Sequence, residues 1–140
     1  MFVRLNEIES RSLLVGARVG RLGCIVNGAP YVVPINYYFE DNCVYSHSLP
    51  GLKITALREN PKACLQVDEV AGDFEWRSVL AFGTYEEIVS PNERSEILNQ
   101  LLQRFPMLTP VESAIADDGG PPPVIVFRIR IDRITGIGEE

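Results

Sequence analysis

Hydrophobic and polar residues alternate along several segments of the chain, which is the pattern of a β-strand that buries one face. The clearest example lies near the C-terminus, where Phe127, Ile129 and Ile131 alternate with charged side chains. Asn27-Gly28 separates two largely apolar segments and is a strong signal for a hairpin turn, because both residues tolerate positive φ. These patterns predict six strands, at residues 19–26, 31–39, 43–47, 63–67, 75–89 and 124–134.

Capping residues and apolar positions at helical spacing predict three short helices, at residues 7–15, 52–59 and 91–105. Asn6 is placed to cap the first helix, with Ile8 on its buried side. Ser90 and Glu93 form the pattern of a capping box at the start of the third. Residues 107–123 contain too many prolines and glycines to form a regular element throughout.

Six strands joined by short turns, with two or three small helices, favour an antiparallel β barrel. Strands connected by tight turns pair antiparallel, and a closed sheet avoids the exposed edges that an open sheet would leave. The length of 140 residues, without a linker or an internal repeat, indicates a single domain over residues 1–140. We therefore predict a mainly β protein, a six-stranded antiparallel barrel with small helices.

The charge balance limits the classes of partner. Thirteen Lys and Arg stand against nineteen Asp and Glu, for a formal net charge of −6. This balance argues against nucleic acid and against an anionic membrane surface, because both partners need a basic footprint. No segment approaches the roughly 20 apolar residues of a membrane span, and the N-terminus lacks the apolar core of a signal peptide. A cytoplasmic location is the resulting expectation.

The cysteines and the single histidine give little support for a metal site or a disulfide framework. Cys24, Cys43 and Cys64 are odd in number, lie about twenty residues apart and form no CxxC pair. His47 is the only histidine, so neither a zinc site nor a Ser-His-Asp triad is supported. We expect no metal, and thiols that pack as small hydrophobic groups.

One segment, residues 45–53, combines the groups that hold a phosphate. It contains serine hydroxyls, a flexible Gly51 and Lys53 at the start of a predicted helix, whose first amide groups have no partners within the helix. Such a set can bind an anion, but a solvated turn with an ordinary surface lysine has the same composition. The residues alone leave both interpretations open and favour the plain turn.

Two other places are candidates for ligand contact. Pro34 interrupts a predicted strand, which implies a sheet edge or a bulge with free backbone groups, although a barrel corner explains it equally well. Trp76 stands near the start of the long strand and is also explained as a core side chain. Arg77 and Ser78 follow it as a pair of donors on opposite faces, an arrangement useful near an anion.

In their order and spacing, these places resemble the FMN-binding split β-barrel family related to pyridoxamine 5′-phosphate oxidase. The closer similarity is to its short branch of nitroimidazole-resistance-type flavoproteins. The segments that carry the resemblance are GRLG at 20–23, GAPYVVPINY at 28–37, VYSHS at 44–48, GLK at 51–53, LRENP at 57–61, VDE at 67–69 and WRSV at 76–79. Each motif is weak alone, but their shared order covers residues 5–89 well and the terminal strand loosely.

The resemblance implies a homodimer with two flavin sites at the subunit interface, and FMN as the cofactor. Lys53 and the segment from Ser46 to Ser48 would hold the FMN phosphate, and the strand around Pro34 would line the isoalloxazine edge, largely through backbone groups. The cofactor-binding residues that the resemblance implies are Val33, Pro34, Ile35, Asn36, Tyr45, Ser46, His47, Ser48, Lys53, Trp76 and Ser78.

The function expected is that of a flavin oxidoreductase acting on an unidentified small molecule. A true pyridoxamine 5′-phosphate oxidase is not expected, because Leu52 stands where those enzymes commonly carry an arginine and the basic C-terminal substrate motif is missing. His47 is a candidate for proton delivery, ligand binding or packing. The alternatives left open are a non-catalytic flavin- or haem-binding store or sensor, the same barrel with a deazaflavin, and a structural dimer without ligand.

Overall fold

The computed structural model describes residues 1–105 and 124–140, so the predicted irregular segment at 107–123 lies outside the described residues. The described part contains eight strands and three helices. In chain order these are β1 (Phe2–Arg4), α1 (Glu7–Gly16), β2 (Val19–Val26), β3 (Ala29–Asn36), β4 (Tyr38–Glu40), β5 (Cys43–Ser48), α2 (Leu52–Glu59), β6 (Lys62–Gly72), β7 (Glu75–Glu87), α3 (Pro91–Arg104) and β8 (Ile125–Glu139).

All the strands belong to one antiparallel sheet, in the order β3-β2-β6-β7-β8-β5-β4, and β1 pairs with the far end of β8. The strands at the two ends of this order, β3 and β4, are separated only by Tyr37, so the chain itself joins both edges and closes a split barrel. The predicted antiparallel barrel is confirmed. The predicted number of six strands is wrong, because the expected strand at 31–39 is divided at Tyr37 and β1 was not anticipated.

Tyr37 separates β3 from β4 and is anchored by hydrogen bonds to α1 and to the residue before β2. Its side chain is buried, and its hydroxyl donates to the carbonyl of Leu14 at 2.6 Å. Its backbone amide donates to the carbonyl of Arg18 at 3.3 Å. The chain therefore leaves β2 at this residue and continues as β4 along β5.

Two turns follow the chemistry of their residues. Asn27 and Gly28 have φ of 49° and 79° and connect β2 to β3, as the hairpin signal predicted. Asp41 and Asn42 have φ of 52° and 60° and connect β4 to β5. Asn and Asp adopt this left-handed region more readily than other side chains do, so both hairpins have suitable residues where the backbone reverses.

Alternate positions of the long strands fill the barrel interior. Leu22, Val79 and Phe127 are fully buried there, and α2 closes one end of the barrel with Ile54 and Leu57. The helix α3 packs on the opposite face of β5 and β8. It forms a second buried cluster that consists of Tyr38, Ile88, Ile97, Leu101 and Val126.

The helix starts test the capping predictions. The Asn6 side chain accepts a hydrogen bond from the Glu9 amide at 2.8 Å and the Glu9 side chain accepts one in return, which confirms the cap. Ile8 was wrongly placed inside: it is 80% exposed, and α1 instead buries Ser10, Leu13 and Leu14. Ser90 occupies the N-cap of α3, but its side chain makes no capping bond. No helix in residues 1–105 and 124–140 combines the length and hydropathy that a bilayer span needs.

Candidate functional site

The ends of β3 and β5 meet beside the first turn of α2, and we call this place the strand–helix corner. It consists of residues 34–36, 46–48 and 51–53. The contact between the two strands is direct, because the Ser46 hydroxyl donates to the carbonyl of Asn36 at 2.6 Å. The structure therefore brings together most of the sequence-predicted site residues, from three elements that are separate in the chain.

The serines of this corner lie in a strand, which includes Ser46 as predicted and continues one residue beyond the predicted end, to Ser48. Ser46 and Ser48 belong to β5 and are buried, at 1% and 8% exposure. The Ser48 hydroxyl donates to the carbonyl of Leu49 at 2.7 Å. Both hydroxyl protons are thus directed to backbone carbonyls, and donation to a ligand would require these bonds to be exchanged.

The start of α2 gives the corner its positive charge. Gly51 is the N-cap residue in an extended conformation, and no side chain caps the first amide groups of the helix. Lys53 lies in this first turn and is half-buried. Burial raises the pKa of the Cys24 thiol inside the barrel, and the charge of Lys53 acts against this rise. Lys53 lies on the helix that closes this end of the barrel.

The residues predicted on β3 divide between the two faces of the strand. Val33 and Ile35 turn toward the core, whereas Pro34 and Asn36 are exposed on the other face. Among the described residues, β3 pairs only with β2, so it forms one end of the sheet order. Pro34 thus lies on an edge strand, where its missing amide proton breaks no ladder on the free side.

Tyr45 and His47 point away from the serines, because successive residues of a strand face opposite sides. Tyr45 stacks on Tyr38, with ring centroids 5.0 Å apart, below α3. His47 pairs with Val126 of β8, is half-buried, and has a buried Nδ1 atom. The structure therefore places His47 on the α3 side of β5 and the two serine hydroxyls on the barrel side.

Trp76 and Ser78 lie on β7, apart from the corner. The indole of Trp76 donates to a carboxylate oxygen of Glu139 at 3.0 Å and meets the ring of Phe2 edge-on. Ser78 shares an outward face with Asn36, but β2 and β6 lie between their strands. Three strand spacings of about 4.8 Å put them roughly 14 Å apart, so one chain does not bring these residues to the corner.

A polar cluster around Ser78 was missed by the sequence reasoning. On the outward face of β2, β6 and β7, Arg21 donates to Gln66 at 3.2 Å and to Asp68 at 3.3 Å. Gln66 donates to Asp68 at 2.9 Å and to Ser78 at 3.1 Å. We call these four residues the outer-face network. The signal that could have revealed it is the alternation of Gln66 and Asp68 with buried Leu65 and Val67.

Outside these two places, the clearest cluster of charged side chains joins β7 to β8. Glu86 accepts hydrogen bonds from Arg128 at 2.9 Å and from Arg130 at 3.0 Å. The guanidinium groups of Arg130 and Arg128 lower the pKa of Glu86 to about 2. In the described residues, no three His, Cys, Asp or Glu side chains come together as a ligand set for a metal ion.

Comparison with known proteins shows the family to which this chain belongs. Residues 6–137 match the family model of pyridoxamine 5′-phosphate oxidase. The chain belongs to the pyridoxamine 5′-phosphate oxidase family. An uncharacterized protein of Rhizobium meliloti strain 1021 is 34% identical over 147 residues, which cover 97% of this chain and 95% of that protein.

Two solved structures superpose on nearly the whole chain. The crystal structure of a FAD-binding protein from Mesorhizobium loti is 33% identical, covers 100% of this chain and 99% of that one, and has a TM-score of 0.81. A candidate 5-nitroimidazole antibiotic resistance protein from Bacteroides thetaiotaomicron is 22% identical, with coverages of 99% and 87% and a TM-score of 0.76. At that identity the second likeness shows a shared fold.

Proposed function

We propose that this member of the pyridoxamine 5′-phosphate oxidase family binds FMN, with the phosphate at the strand–helix corner. The observation that carries the proposal is the similarity, at 33% identity over 100% of the chain, to a FAD-binding protein. FMN and FAD share the isoalloxazine, the ribityl chain and its phosphate, so one corner can serve the common part of both. FMN is proposed because a single phosphate group suits the single lysine found there.

The residues present fit a phosphate dianion. The first amide groups of α2 lack a side-chain cap, and the helix dipole places partial positive charge at the same end. Lys53 adds a full positive charge in the first turn of the helix, and charge-assisted bonds to phosphate are among the stronger hydrogen bonds. The free edge of β3 near Pro34 offers backbone groups to a planar ring. These groups would bind and orient the flavin.

A homodimer with the flavin at the interface is the second part of the proposal. The exposed apolar side chains on the outward sheet face support it: Val19, Val32 and Ile137 are 52%, 63% and 49% exposed. They share this face with Ser78. Within one chain, Ser78 lies roughly 14 Å across the sheet from Asn36 of the corner. A second copy packed against this face would bring Ser78 and Trp76 of one subunit toward the strand–helix corner of the other. The interface would also exclude water from the flavin.

The activity proposed is that of a flavin oxidoreductase acting on a small molecule. The flavin, when bound, supplies the hydride or electron chemistry; this chain would hold it and shield it from solvent. Leu52 is 52% exposed beside Lys53, at the position where pyridoxamine-phosphate oxidases commonly carry an arginine, so a different substrate is proposed. A non-catalytic flavin store or sensor is the alternative, which persistent absence of turnover with nicotinamide donors and varied acceptors would favour.

Lysine substitution tests the phosphate site with a matched control inside the same chain. Lys53 and Lys62 are the two lysines, and Lys62 is exposed at the start of β6. We expect Lys53→Ala to raise the Kd for FMN at least about tenfold, as the loss of a charged hydrogen bond would do, and Lys62→Ala to leave it within about twofold. Fluorescence titration with FMN and, in parallel, with FAD measures this.

The outcomes of this titration separate the parts of the proposal. Equal effects of the two substitutions would refute the corner as the phosphate site. Tighter binding of FAD than of FMN would replace the proposed cofactor and keep the flavin site. A wild-type protein that takes up neither flavin, and shows neither flavin nor haem in its absorption spectrum, would support the structural dimer without ligand.

A further inference from the structure

The outer-face network has a defined direction, because its members differ in what they can donate. A guanidinium group only donates hydrogen bonds, so the bond from Arg21 fixes the amide oxygen of Gln66 toward β2. The amide nitrogen of Gln66 must then point the other way. Its two protons go to Asp68 at 2.9 Å and to Ser78 at 3.1 Å. Asp68 accepts from both Arg21 and Gln66, and these bonds keep the amide from turning over.

This direction determines the role of the Ser78 hydroxyl. A hydroxyl has one proton to donate and two lone pairs that accept. Since Gln66 donates to Ser78, the serine oxygen acts as an acceptor within the chain. In the part of the chain that the structure describes, the Ser78 hydroxyl donates its proton to no protein group. Ser78 is therefore set to donate outward, from a half-buried position on the face proposed to meet a second subunit.

We propose that Gln66 is a positioning residue that makes Ser78 a hydrogen-bond donor to an acceptor atom of the flavin bound between subunits. The inference rests on the proposed function and assigns roles to Gln66, Arg21 and Asp68 that the family resemblance does not. Arg21 and Asp68 orient the amide of Gln66. Gln66 in turn donates a hydrogen bond to the oxygen of Ser78. The serine hydroxyl then donates its proton to the flavin and does not accept a hydrogen bond from it.

Stability alone does not account for the network. The Arg21 and Asp68 side chains are 55% and 32% exposed, and ion pairs at such positions contribute little to folding. Every polar group of the Gln66 side chain is nevertheless engaged. A fully connected polar arrangement on an open sheet face is explained if a ligand or a subunit covers it, since an orienting bond matters most where water is excluded.

Gln66→Glu is the decisive variant, because it keeps the shape of the side chain and reverses the bond to Ser78. It also removes the bond to Asp68 and adds a negative charge beside that carboxylate. A carboxylate still accepts from Arg21, but it has no proton for Ser78 and instead accepts the serine proton. Ser78→Ala removes the donor altogether. We expect each substitution to raise the Kd for FMN about three- to tenfold, the range for one hydrogen bond, and to shift the visible absorption spectrum of the bound flavin.

The double variant controls for the added charge. If Gln66 acts through Ser78, Gln66→Glu has no further effect beyond about twofold in the Ser78→Ala background, because the two residues form one interaction. An equal effect of Gln66→Glu in both backgrounds would indicate charge repulsion and overturn the inference. Gln66→Leu, which is neutral, should raise the Kd less than Gln66→Glu does, and it serves if the glutamate variant fails to fold.

Other outcomes are equally distinct. Unchanged FMN affinity and spectrum in a folded Gln66→Glu protein, or in Ser78→Ala, would refute the assignment while the wild type still binds flavin. Wild-type protein that binds no flavin would overturn the proposed function and this inference together. Thermal unfolding of each variant without ligand separates a binding effect from a loss of fold.

Discussion

At the strand–helix corner the serine hydroxyls donate to backbone carbonyls, whereas in the outer-face network the side chains bond to one another. Ser46 is buried and ties β5 to the end of β3. Ser78 is half-buried, and among the described residues its hydroxyl is bonded by Gln66 alone. The backbone therefore sets the geometry of the corner as soon as the barrel closes. The network depends on side chains that solvent reaches, and the role proposed for it requires that a second subunit covers that face.

The largest effect is expected when the packing beneath the corner is removed. Phe127 is fully buried and pairs with Ser46 across β5 and β8. We expect Phe127→Ala to lower the free energy of unfolding by about 3–5 kcal/mol, the range for a buried phenylalanine. Phe74 is 76% exposed in the β6–β7 turn and is the matched control, and Phe74→Ala should cost less than about 0.5 kcal/mol. Urea unfolding measures both.

A serine-to-alanine substitution can be made in both regions, and its cost in unfolding free energy should differ between them. Ser46→Ala removes the hydrogen bond from a buried side chain to the carbonyl of Asn36, so we expect a loss of about 1–1.5 kcal/mol in the free energy of unfolding. Ser78→Ala should cost less than about 1 kcal/mol without ligand, since water can replace the serine at a half-exposed position. Equal losses in urea unfolding would show that the two regions are held alike, contrary to this account.

The smallest effect expected is a pH dependence at the β7–β8 charge cluster, between the two regions. The folded chain lowers the pKa of Glu86 to about 2, chiefly through its bonds to Arg130 and Arg128. A pKa below the unfolded value means that ionised Glu86 stabilises the fold above about pH 4.5, and that this contribution disappears as pH falls toward 2.

Glu86→Gln tests this dependence. The difference in unfolding free energy between wild type and variant should be largest above about pH 4.5 and should narrow as pH approaches 2. The effect is small because the Glu86 side chain is 37% exposed and solvent screens its ion pairs. Chemical unfolding at a series of pH values measures the difference, and a constant difference across the series would contradict the assignment.

Much of the fold could be predicted from local signals, and the errors have identifiable causes. The Asn27-Gly28 hairpin and the Asn6 cap depend on a few adjacent residues, and both are confirmed. The burial of Ile8 was wrong because the orientation of α1 depends on its contacts with the sheet, against which it buries Leu13 and Leu14. Helical spacing alone allowed either side to face inward.

The end of β8 was predicted too early. The sequence placed the end of this strand at residue 134, and the residues that follow include two glycines, which strands disfavour. The strand instead continues to Glu139 and pairs with β1. A Cβ atom at Gly136 would collide with the hydroxyl of Ser10 on α1. The glycine is thus needed for close packing, which no local pattern reveals.

The candidate site was predictable in part. The corner residues 34–36, 46–48 and 51–53 lie within one stretch of twenty residues, so the nine-residue motif at 45–53 and the segment around Pro34 indicated them. The motif did not predict the strand face on which each of these residues lies. A loop was expected after residue 47, whereas β5 continues to Ser48. Gln66 and Asp68 were missed because polar residues on an outward strand face are ordinary in a sequence, and only their bonds to Arg21 and Ser78 distinguish them.

Local patterns in the sequence were enough for most of the strands, the Asn27-Gly28 hairpin and the family, because alternation, turn residues and motif order are properties of neighbouring positions. Tertiary structure alone decided that Tyr37 would divide a strand, that β1 would pair with β8, and that Ser78 would accept rather than donate within the chain. Each of these depends on groups distant in sequence whose hydrogen bonds exist only after the barrel has closed.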